Sequence, residues 1–253
     1  MCLIAWRFEP GAPVPLVLVA NRDEFHARPT RALNWWGWPD DVLAGRDQQA
    51  GGTWLGVTRC GRIAAVTNFR EPNAATAPCS RGELPLAWLN RACSGAEFAD
   101  HVWQTRSRYR PFNLWFGTRD QLWVTGTHTP PRVVAPGFGA LSNGPVDARW
   151  PKTCRAVEAL RARLANHTVS IAALLDVLDD RCPADPADLP DTGIGPERER
   201  LLSAPFIVHP VYGTRSSSVV ILGSDASFAE RRFDPGGRTI AERHFRWRAA
   251  GDR

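Results

Sequence analysis

The sequence of 253 residues lacks any apolar run of about eighteen residues, so no segment predicts a membrane-spanning helix. Its first residues carry no basic segment, and Arg7, Glu9 and several prolines interrupt the early apolar stretches. That pattern argues against a signal peptide. We therefore expect a cytoplasmic protein whose thiols are reduced.

Cysteine pairs at metal-ligand spacing are also missing. None of the six cysteines belongs to a CxxC motif, so the sequence predicts no metal site. Five of the cysteines lie deep in the chain, where they are typical of small buried apolar residues or of loop thiols. Cys2 differs from them, because loss of Met1 alone would make it the N-terminal residue.

Lysine is nearly absent as well. Lys152 is the only one, and the other basic residues are arginines spread along a chain of formal net charge +5. A nucleic-acid-binding face usually shows a basic stripe or cluster. Because none stands out here, we expect no nucleic-acid partner. The positive charge leaves open a weaker alternative, a protein that binds polyanions.

The remaining composition is that of an ordinary globular protein. Hydrophobic residues make up 43% of the chain and charged residues 23%. This length suffices to bury a sizeable core. We find no internal repeat and no obvious linker, so the sequence predicts a single domain over residues 1–253.

The order of predicted elements favours an α+β fold. Helices are predicted at residues 83–93, 96–106, 150–166 and 170–180, the last with Ser170 as its N-cap. Strands are predicted at residues 2–8, 15–20, 52–58, 63–69, 112–118, 121–127, 205–214, 216–222, 227–233 and 242–248. Because the helices come in pairs, the pattern argues against a doubly wound fold. It favours two mostly antiparallel sheets packed face to face, with helices outside.

Three further segments are predicted to be loops. They are residues 137–145, the stretch from about 183 to 196, and the tryptophan-rich segment NWWGWPD, which contains Trp35, Trp36 and Trp38. Packing of these tryptophans over a sheet edge is favoured over an aromatic ligand wall.

The first predicted hairpin brings the start of the chain to a polar cluster. If Phe8 faces Pro15, antiparallel pairing places Cys2 opposite Asn21. An error of two residues in the register still leaves Cys2 beside the segment NRDE, residues 21–24. The chain start and this segment are therefore expected to be neighbours.

This neighbourhood has the groups that a nucleophilic cysteine needs. A cation such as Arg22 lowers the pKa of a nearby thiol. A freed α-amine on Cys2 would act as the general base, and Asp23 or Glu24 would orient the amine and Arg22. The same four polar residues also fit a solvated strand end, or a salt-bridge cluster that fixes the loop. The spacing alone leaves these alternatives open.

Several motifs, in order along the chain, resemble one known family. They are MC before a strand, ANRDEFHARPT, GGTWLGVTRCGRIAAVTNFREP, ALSNGP with WPK, and YGTRSSSVVIL. Together they resemble the NRDE-domain family, that of transport and Golgi organisation protein 2, from residue 1 to about residue 221. This family resembles the cysteine branch of the N-terminal nucleophile (Ntn) hydrolases, which includes bile salt hydrolases and penicillin V acylases. The resemblance implies a four-layer αββα sandwich.

The resemblance also implies roles for the residues near the chain start. Cys2 stands where that branch has its nucleophile, and Arg22 where it has an arginine beside the nucleophile. The branch has an amine-binding aspartate three residues beyond that arginine. Here the nearest aspartate is Asp23, directly after Arg22, so its role departs from the pattern.

Residues further along the chain match other parts of the branch's site. Asn68 falls at the oxyanion-hole asparagine that ends the fourth strand, and Asn143 at a second asparagine near the nucleophile. From the residue pattern alone, both also fit ordinary turns. Arg215 matches a late arginine before a core strand.

Three further residues are candidate ligand-binding residues. They are Asn21, Glu24 and Trp54, although a strand position would also make Trp54 a core residue.

Two functions follow as expectations. One is an Ntn-type cysteine amidohydrolase that acts on an amide or thioester of a small, partly apolar substrate and requires no cofactor. The other is a non-catalytic carrier for haem or an acyl-CoA-type ligand, since the resemblance associates the family with haem trafficking and lipid homeostasis. Retention of Met1 would favour the carrier, because Cys2 would then lack a free α-amine. The sequence leaves the oligomeric state open.

Overall fold

A computed structural model describes residues 2–37, 41–165 and 170–248, with position 2 described by its backbone alone. The predictions made for Met1, Trp38 and Asn166 lie outside the described residues. Among the described helices, none has the length and apolar character needed to cross a bilayer.

The first sheet has six antiparallel strands and contains both ends of the described chain. Its strands are β1 (Cys2–Phe8), β2 (Leu16–Phe25), β10 (Gly137–Leu141), β11 (Tyr212–Leu222), β12 (Asp225–Phe233) and β13 (Thr239–Arg248). Their spatial order is β10-β1-β2-β11-β12-β13. The two N-terminal strands are therefore central, with strands on either side of them.

The second sheet has seven strands and comes from the middle of the chain. Its strands are β3 (Thr30–Trp35), β4 (Val42–Asp47), β5 (Leu55–Thr58), β6 (Ile63–Asn68), β7 (Phe112–Gly117), β8 (Leu122–Gly126) and β9 (Arg132–Val133). They pair in sequence order, and every pairing is antiparallel.

Helices cover the outer face of each sheet. The α-helices of the described chain are α1 (Glu83–Asn90), α2 (Gly95–Thr105), α3 (Pro151–Leu164), α4 (Ile171–Leu175) and α5 (Pro196–Leu201), of which the first four cover the sheets. Helices α1 and α2 pack on the second sheet, and α3 and α4 pack on the first. The predicted N-cap at Ser170 is confirmed, since its hydroxyl accepts a hydrogen bond of 3.2 Å from the Ala173 N–H.

Alternation along β2 explains how one strand serves two layers. Leu16 and Leu18 belong to the core between the sheets, whereas Val17 and Val19 belong to the core beneath α3 and α4. Trp6 of β1 and Trp115 of β7 join the sheets, with ring centroids 5.4 Å apart. The four-layer αββα sandwich is thus confirmed.

Several sequence-based boundaries were wrong. The segment containing Trp35 and Trp36 was predicted to be a loop, but Trp35 ends β3 and Trp36 follows it. Strands β3 and β4 escaped prediction because β3 is an edge strand whose only fully buried residue is Leu33, so apolar alternation is weak. The predicted loop at residues 137–145 contains the edge strand β10.

The later boundaries also needed correction. The predicted strand at residues 205–214 is regular only from Tyr212, where β11 begins. Two prolines, Pro205 and Pro210, lie in the irregular part and offer no N–H to a ladder. Helix α4 is shorter than predicted, and α5 begins at the end of the predicted loop.

Gly139 tests how β10 is held at the edge of the first sheet. A Cβ at this position would lie 2.4 Å from Cζ2 of Trp6. We expect Gly139→Ala to destabilise the fold by about 1–3 kcal/mol through overpacking, measured by urea denaturation. Gly37→Ala is the matched control, since a Cβ there meets no atom of the described residues within 4 Å. Equal stability of the two variants would contradict close packing of Trp6 on β10.

Candidate active site

The pairing of β1 with β2 sets the geometry of the chain start. Cys2 is the register partner of Arg22, and Phe8 is that of Leu16. The predicted register, with Cys2 opposite Asn21, was one residue off because the loop between the strands begins the ladder at Leu16. The prediction that the chain start lies beside the NRDE segment is confirmed. Arg22 also pairs with Ser216 of β11, so it sits in the centre of the sheet.

Arg22 is a buried cation, with 4% of its surface exposed. Its guanidinium carbon lies 4.1 Å from the ring centroid of Trp54. One terminal nitrogen donates a 3.2 Å hydrogen bond to the Thr30 hydroxyl, and the other lies 3.9 Å from Asp47 Oδ2. Three contacts from the second sheet therefore fix the side chain.

Asp47 is the carboxylate that pairs with both Arg22 and Arg28. Its Oδ2 accepts a 2.6 Å hydrogen bond from Nε of Arg28, and its Oδ1 accepts bonds from the N–H groups of Gln49 and Ala50. Burial raises the pKa of Asp47, but the hydrogen bonds from Arg28 and the two backbone N–H groups outweigh it and leave that pKa below its ordinary value. Asp47 is thus ionised near neutral pH.

Asp23, the next residue of β2, is fully buried. The Thr214 hydroxyl donates a 2.6 Å hydrogen bond to its Oδ1. Burial raises the pKa of Asp23 above its ordinary value, although the positive charges of Lys152 and Arg22 act in the opposite direction. The carboxyl group is therefore held more easily in its neutral form than an exposed aspartate would be.

The two predicted oxyanion asparagines contact each other. Asn143 Nδ2 donates a 3.0 Å hydrogen bond to the backbone carbonyl of Asn68, and Asn143 Oδ1 accepts one of 3.2 Å from Nζ of Lys152. The Asn68 side-chain amide has no hydrogen-bond partner within the described part of the chain. The Asn68 amide can thus donate to a ligand, while the hydrogen bond from Asn143 fixes the Asn68 backbone.

A small pocket of about 90 Å³ collects most of the predicted residues. Its lining comprises Arg22, Asp23, Glu24, Arg28, Asp47, Thr53, Trp54, Val66, Asn68, Ser80, Arg81 and Gly82. It adjoins a cleft of about 810 Å³, with which it shares Glu24, Arg28, Asn68 and Arg81. The small, charged pocket thus adjoins a larger cleft. No group of metal-ligating side chains occurs among the described residues.

Comparison with known proteins identifies the family. The family model described as "TANGO2: Transport and Golgi organisation 2" matches residues 1–235. The Transport and Golgi organization protein 2 homologs of Bos taurus and Homo sapiens are 34% and 32% identical to the chain. Both alignments cover 91% of this chain and 92% of the relative.

The chain belongs to the transport and Golgi organisation 2 family.

A solved structure confirms the fold of this family member. A variant of conjugated bile acid hydrolase from Clostridium perfringens aligns over 100% of this chain and 98% of its own, with a TM-score of 0.54 and 9% sequence identity. A second variant of the same hydrolase aligns with a TM-score of 0.52. The Ntn-hydrolase-like architecture expected from the sequence is therefore confirmed, as a statement about the fold alone.

Asn21 and Arg215, two of the predicted site residues, lie away from the pocket. Asn21 is fully buried on the other face of β2, where Nδ2 donates to the carbonyls of Leu178 and Pro205 and Oδ1 accepts from Ser217. Its amide is therefore committed to joining the sheet to the segments outside it. Asn21 thus supports the packing of the fold, and its ligand-binding role stays a prediction.

Arg215 lies on the far side of Arg22 from the pocket. It is the extra residue of a β-bulge between Thr214 and Ser216, and its Nη1 donates a 3.2 Å hydrogen bond to Thr30. Arg22 donates to the same hydroxyl. Arg215 is thus linked to Arg22 through Thr30.

Trp54 was predicted to lie in a strand, but it precedes β5 and lines the pocket. A Cβ on residue 45 would lie 2.3 Å from Cη2 of Trp54, so only glycine there leaves room for the ring. Its position supports the ligand-binding prediction, which stays a prediction.

Asp47 and Lys152 are two of the site residues that sequence reasoning missed. Lys152 carried a readable signal, since Lys152, Ala156 and Leu160 recur every four residues and form the buried stripe of α3. A lone lysine on an apolar stripe predicts a buried partner. Asp47 offered no such signal, because β4 itself went unpredicted.

The raised pKa of Asp23 predicts a pH-dependent contribution to stability. The folded protein binds a proton at Asp23 more tightly than the unfolded chain, whose value is near 3.8. The contribution is therefore full below that pH and is lost as the pH rises through the folded pKa. We expect Asp23→Asn to gain stability relative to the parent protein as the pH rises, measured by urea denaturation. A difference that does not change with pH would contradict the assignment.

Proposed function

We propose that this protein is an Ntn-type cysteine hydrolase that cleaves an amide or thioester bond of a small, partly apolar substrate. The observation that carries the proposal is the register pair of Cys2 with Arg22, whose side chain lines a pocket in a sandwich that resembles bile acid hydrolase. Arg22 is a fixed, desolvated cation, and a cation beside a thiol favours the thiolate.

The proposed reaction proceeds in two steps. The Cys2 thiolate attacks the carbonyl carbon, forms a C–S bond and expels an amine or thiol. The leaving group takes the proton that the α-amine of Cys2 accepted from the thiol. Water then cleaves the acyl-enzyme, which releases a carboxylic acid and restores the thiol. This scheme requires removal of Met1, because only then does Cys2 carry the α-amine.

Asn68 is the residue proposed to stabilise the oxyanion. Its side chain lines both the pocket and the cleft, and its amide has no other partner within the described residues. A preorganised amide N–H directed at a developing negative charge lowers the barrier to acyl transfer. Asn143 acts through Asn68 as a positioning residue, because it donates to the Asn68 carbonyl.

The adjoining cleft supports a partly apolar substrate. Apolar and aromatic side chains line it at Phe25, Phe69, Leu201, Leu202, Val211 and Tyr212. Phe25 and Val211 are 54% and 59% exposed, which is unusual for such large apolar residues. Burial of this apolar surface by a bound ligand would be favourable. The described lining of the same cleft has five arginines and three glutamates, and this excess of positive charge would favour a negative group on the substrate.

A carrier of haem or acyl-CoA-type ligands is the second candidate. The observation that favours it is the size of the cleft, about 810 Å³ against about 90 Å³ for the small pocket. A carrier would bind its ligand in the cleft alone, whereas a hydrolase would use the cleft to bind the substrate and the small pocket for the reaction.

Thiol labelling tests the proposed nucleophile without a known substrate. Cys60 and Cys182 are exposed free thiols and serve as internal controls. In protein lacking Met1, we expect iodoacetamide to alkylate Cys2 faster than either control at neutral pH, because Arg22 stabilises the thiolate. Peptide mass spectrometry over time gives the three rates. A Cys2 rate at or below both control rates contradicts the proposal and favours the carrier.

Asn68→Ala tests the oxyanion role. We expect kcat for hydrolysis of an S-octanoyl thioester to fall by about 10²–10³-fold with little change in KM. Asn34→Ala is the matched control, since Asn34 is an exposed asparagine on β3 outside the pocket and the cleft. Cys2→Ala should abolish the same activity without unfolding the protein. Turnover that survives Cys2→Ala, or equal loss in Asn34→Ala, would overturn the mechanism.

A further inference from the structure

A second groove lies at the open edge of the sandwich, next to the candidate active site, and its lining residue Thr30 accepts a hydrogen bond from Arg22. It has a volume of about 660 Å³ and runs between β3 and β4 of one sheet and β12 and β13 of the other. Its lining is Thr30, Arg31, Ala32, Asn34, Trp35, Trp36, Gly37, Arg46, Arg232 and Arg243. It shares no lining residue with the pocket at Arg22 or with the adjoining cleft.

The charge of this groove is entirely of one sign among its described lining residues. Four strands each contribute one arginine: Arg31 from β3, Arg46 from β4, Arg232 from β12 and Arg243 from β13. The lining residues that the structure describes include no aspartate or glutamate. Converging guanidinium groups without a carboxylate produce a concentrated positive potential in a concave site.

Two of these arginines face each other directly across a strand pair. Arg31 and Arg46 are register partners in the β3–β4 ladder. Like charges placed directly opposite on antiparallel strands repel and destabilise the sheet. Such a pair is a cost to the empty protein that a bound anion would remove.

Two of the guanidinium groups are already held in place. Arg46 donates from Nε to the Gly51 carbonyl at 3.2 Å, and its guanidinium lies 4.7 Å from the ring centroid of Trp36. Arg243 donates from Nη1 to the Leu33 carbonyl at 3.1 Å. These bonds engage one donor each and leave the remaining N–H groups for a ligand.

The other two arginines have no ion-pair partner within residues 2–37, 41–165 and 170–248. No salt bridge joins Arg31 or Arg232 to a carboxylate there. Burial lowers the pKa of Arg215, and the positive charges of Arg22 and Arg232 lower it further, which indicates crowded positive charge.

Nearby carboxyl groups are committed elsewhere. Glu230 is buried and accepts a 2.9 Å hydrogen bond from the Leu33 N–H, and burial raises its pKa, which favours its neutral form. Glu242 accepts from Arg231 at 2.6 Å on the neighbouring strand pair. Glu242 is thus engaged by Arg231, and Glu230, which interacts electrostatically with Arg232 and Arg243, lies outside the described lining of the groove.

We propose that this groove is a binding site for a small anion that carries two or more phosphate groups. Arginine suits this ligand, because its planar fork presents paired donors that match phosphate oxygens. Four converging forks exceed what one carboxylate could use, and the groove's volume accommodates a molecule as large as a nucleoside diphosphate.

Calorimetric titration with inorganic triphosphate tests the proposal directly. The variant R31Q/R46Q removes the cross-strand pair, and R108Q/R163Q removes the same charge from exposed positions outside the groove. At about 50 mM NaCl, where screening is modest, we expect triphosphate to bind the parent protein. We expect the affinity to fall by at least about tenfold in R31Q/R46Q and to stay nearly unchanged in R108Q/R163Q.

Thermal unfolding separates ligand binding from loss of structure. Without ligand, R31Q/R46Q should unfold at the parental temperature or above it, because a repulsive pair has been removed. Triphosphate should raise the Tm of the parent and of R108Q/R163Q, but not that of R31Q/R46Q. A variant that unfolds early would contradict the repulsion on which the proposal rests.

Three outcomes would overturn the proposed site. One is the absence of triphosphate binding to the parent protein. Another is equal weakening in both double variants, which would indicate net charge alone. The third is binding of phosphatidylserine vesicles or of single-stranded DNA that is lost in R31Q/R46Q while triphosphate and ADP do not bind. Equal binding of triphosphate and ADP, lost only in R31Q/R46Q, would support the site.

Discussion

The burial of one guanidinium organises the site end of the sandwich. Arg22 sits in a central strand, where a charge without partners would be costly. Its partners Thr30, Asp47 and Trp54 all come from the opposite sheet or its flanking segments. The contacts that offset the desolvation of this charge therefore also join the two sheets. Because these partners hold Arg22 in one place, the chain start, which pairs with it, has a fixed cationic neighbour.

The side chains of the NRDE segment, residues 21–24, make contacts on both faces of the first sheet. Arg22 contacts residues of the second sheet, whereas Asn21 binds carbonyls at Leu178 and Pro205 on the opposite face of its own sheet. Asp23 pairs with Thr214 of the neighbouring strand, and Glu24 lines the cleft. Four consecutive polar residues thus combine fold support with the candidate chemistry. The structural alternative describes the contacts of Asn21, and the catalytic alternative stays a prediction for the residues around Arg22.

The layers and the central hairpin were predictable because apolar alternation and helix pairing act over many residues. The neighbourhood of Cys2 and Arg22 followed from strand pairing, which tolerates a register error of one residue. Asp47 could not be found in this way, because β3 is a partly exposed edge strand and β4 is a short strand whose first four residues are all buried, so neither alternates clearly. Nor could the commitment of Asn21, which depends on carbonyls more than 150 residues away in the chain. Long-range polar contacts leave no periodic trace in sequence.

The alternation of β2 has a consequence for how this segment tolerates change in length. A side-chain substitution alters only one of the two core layers, since neighbouring residues of β2 face different layers. Loss or gain of a single residue between Leu16 and Arg22 would instead exchange the faces of everything that follows. The guanidinium would then enter the apolar layer beneath α3 and α4, and the Asn21 amide would enter the space between the sheets. The strand can therefore vary in composition far more readily than in length.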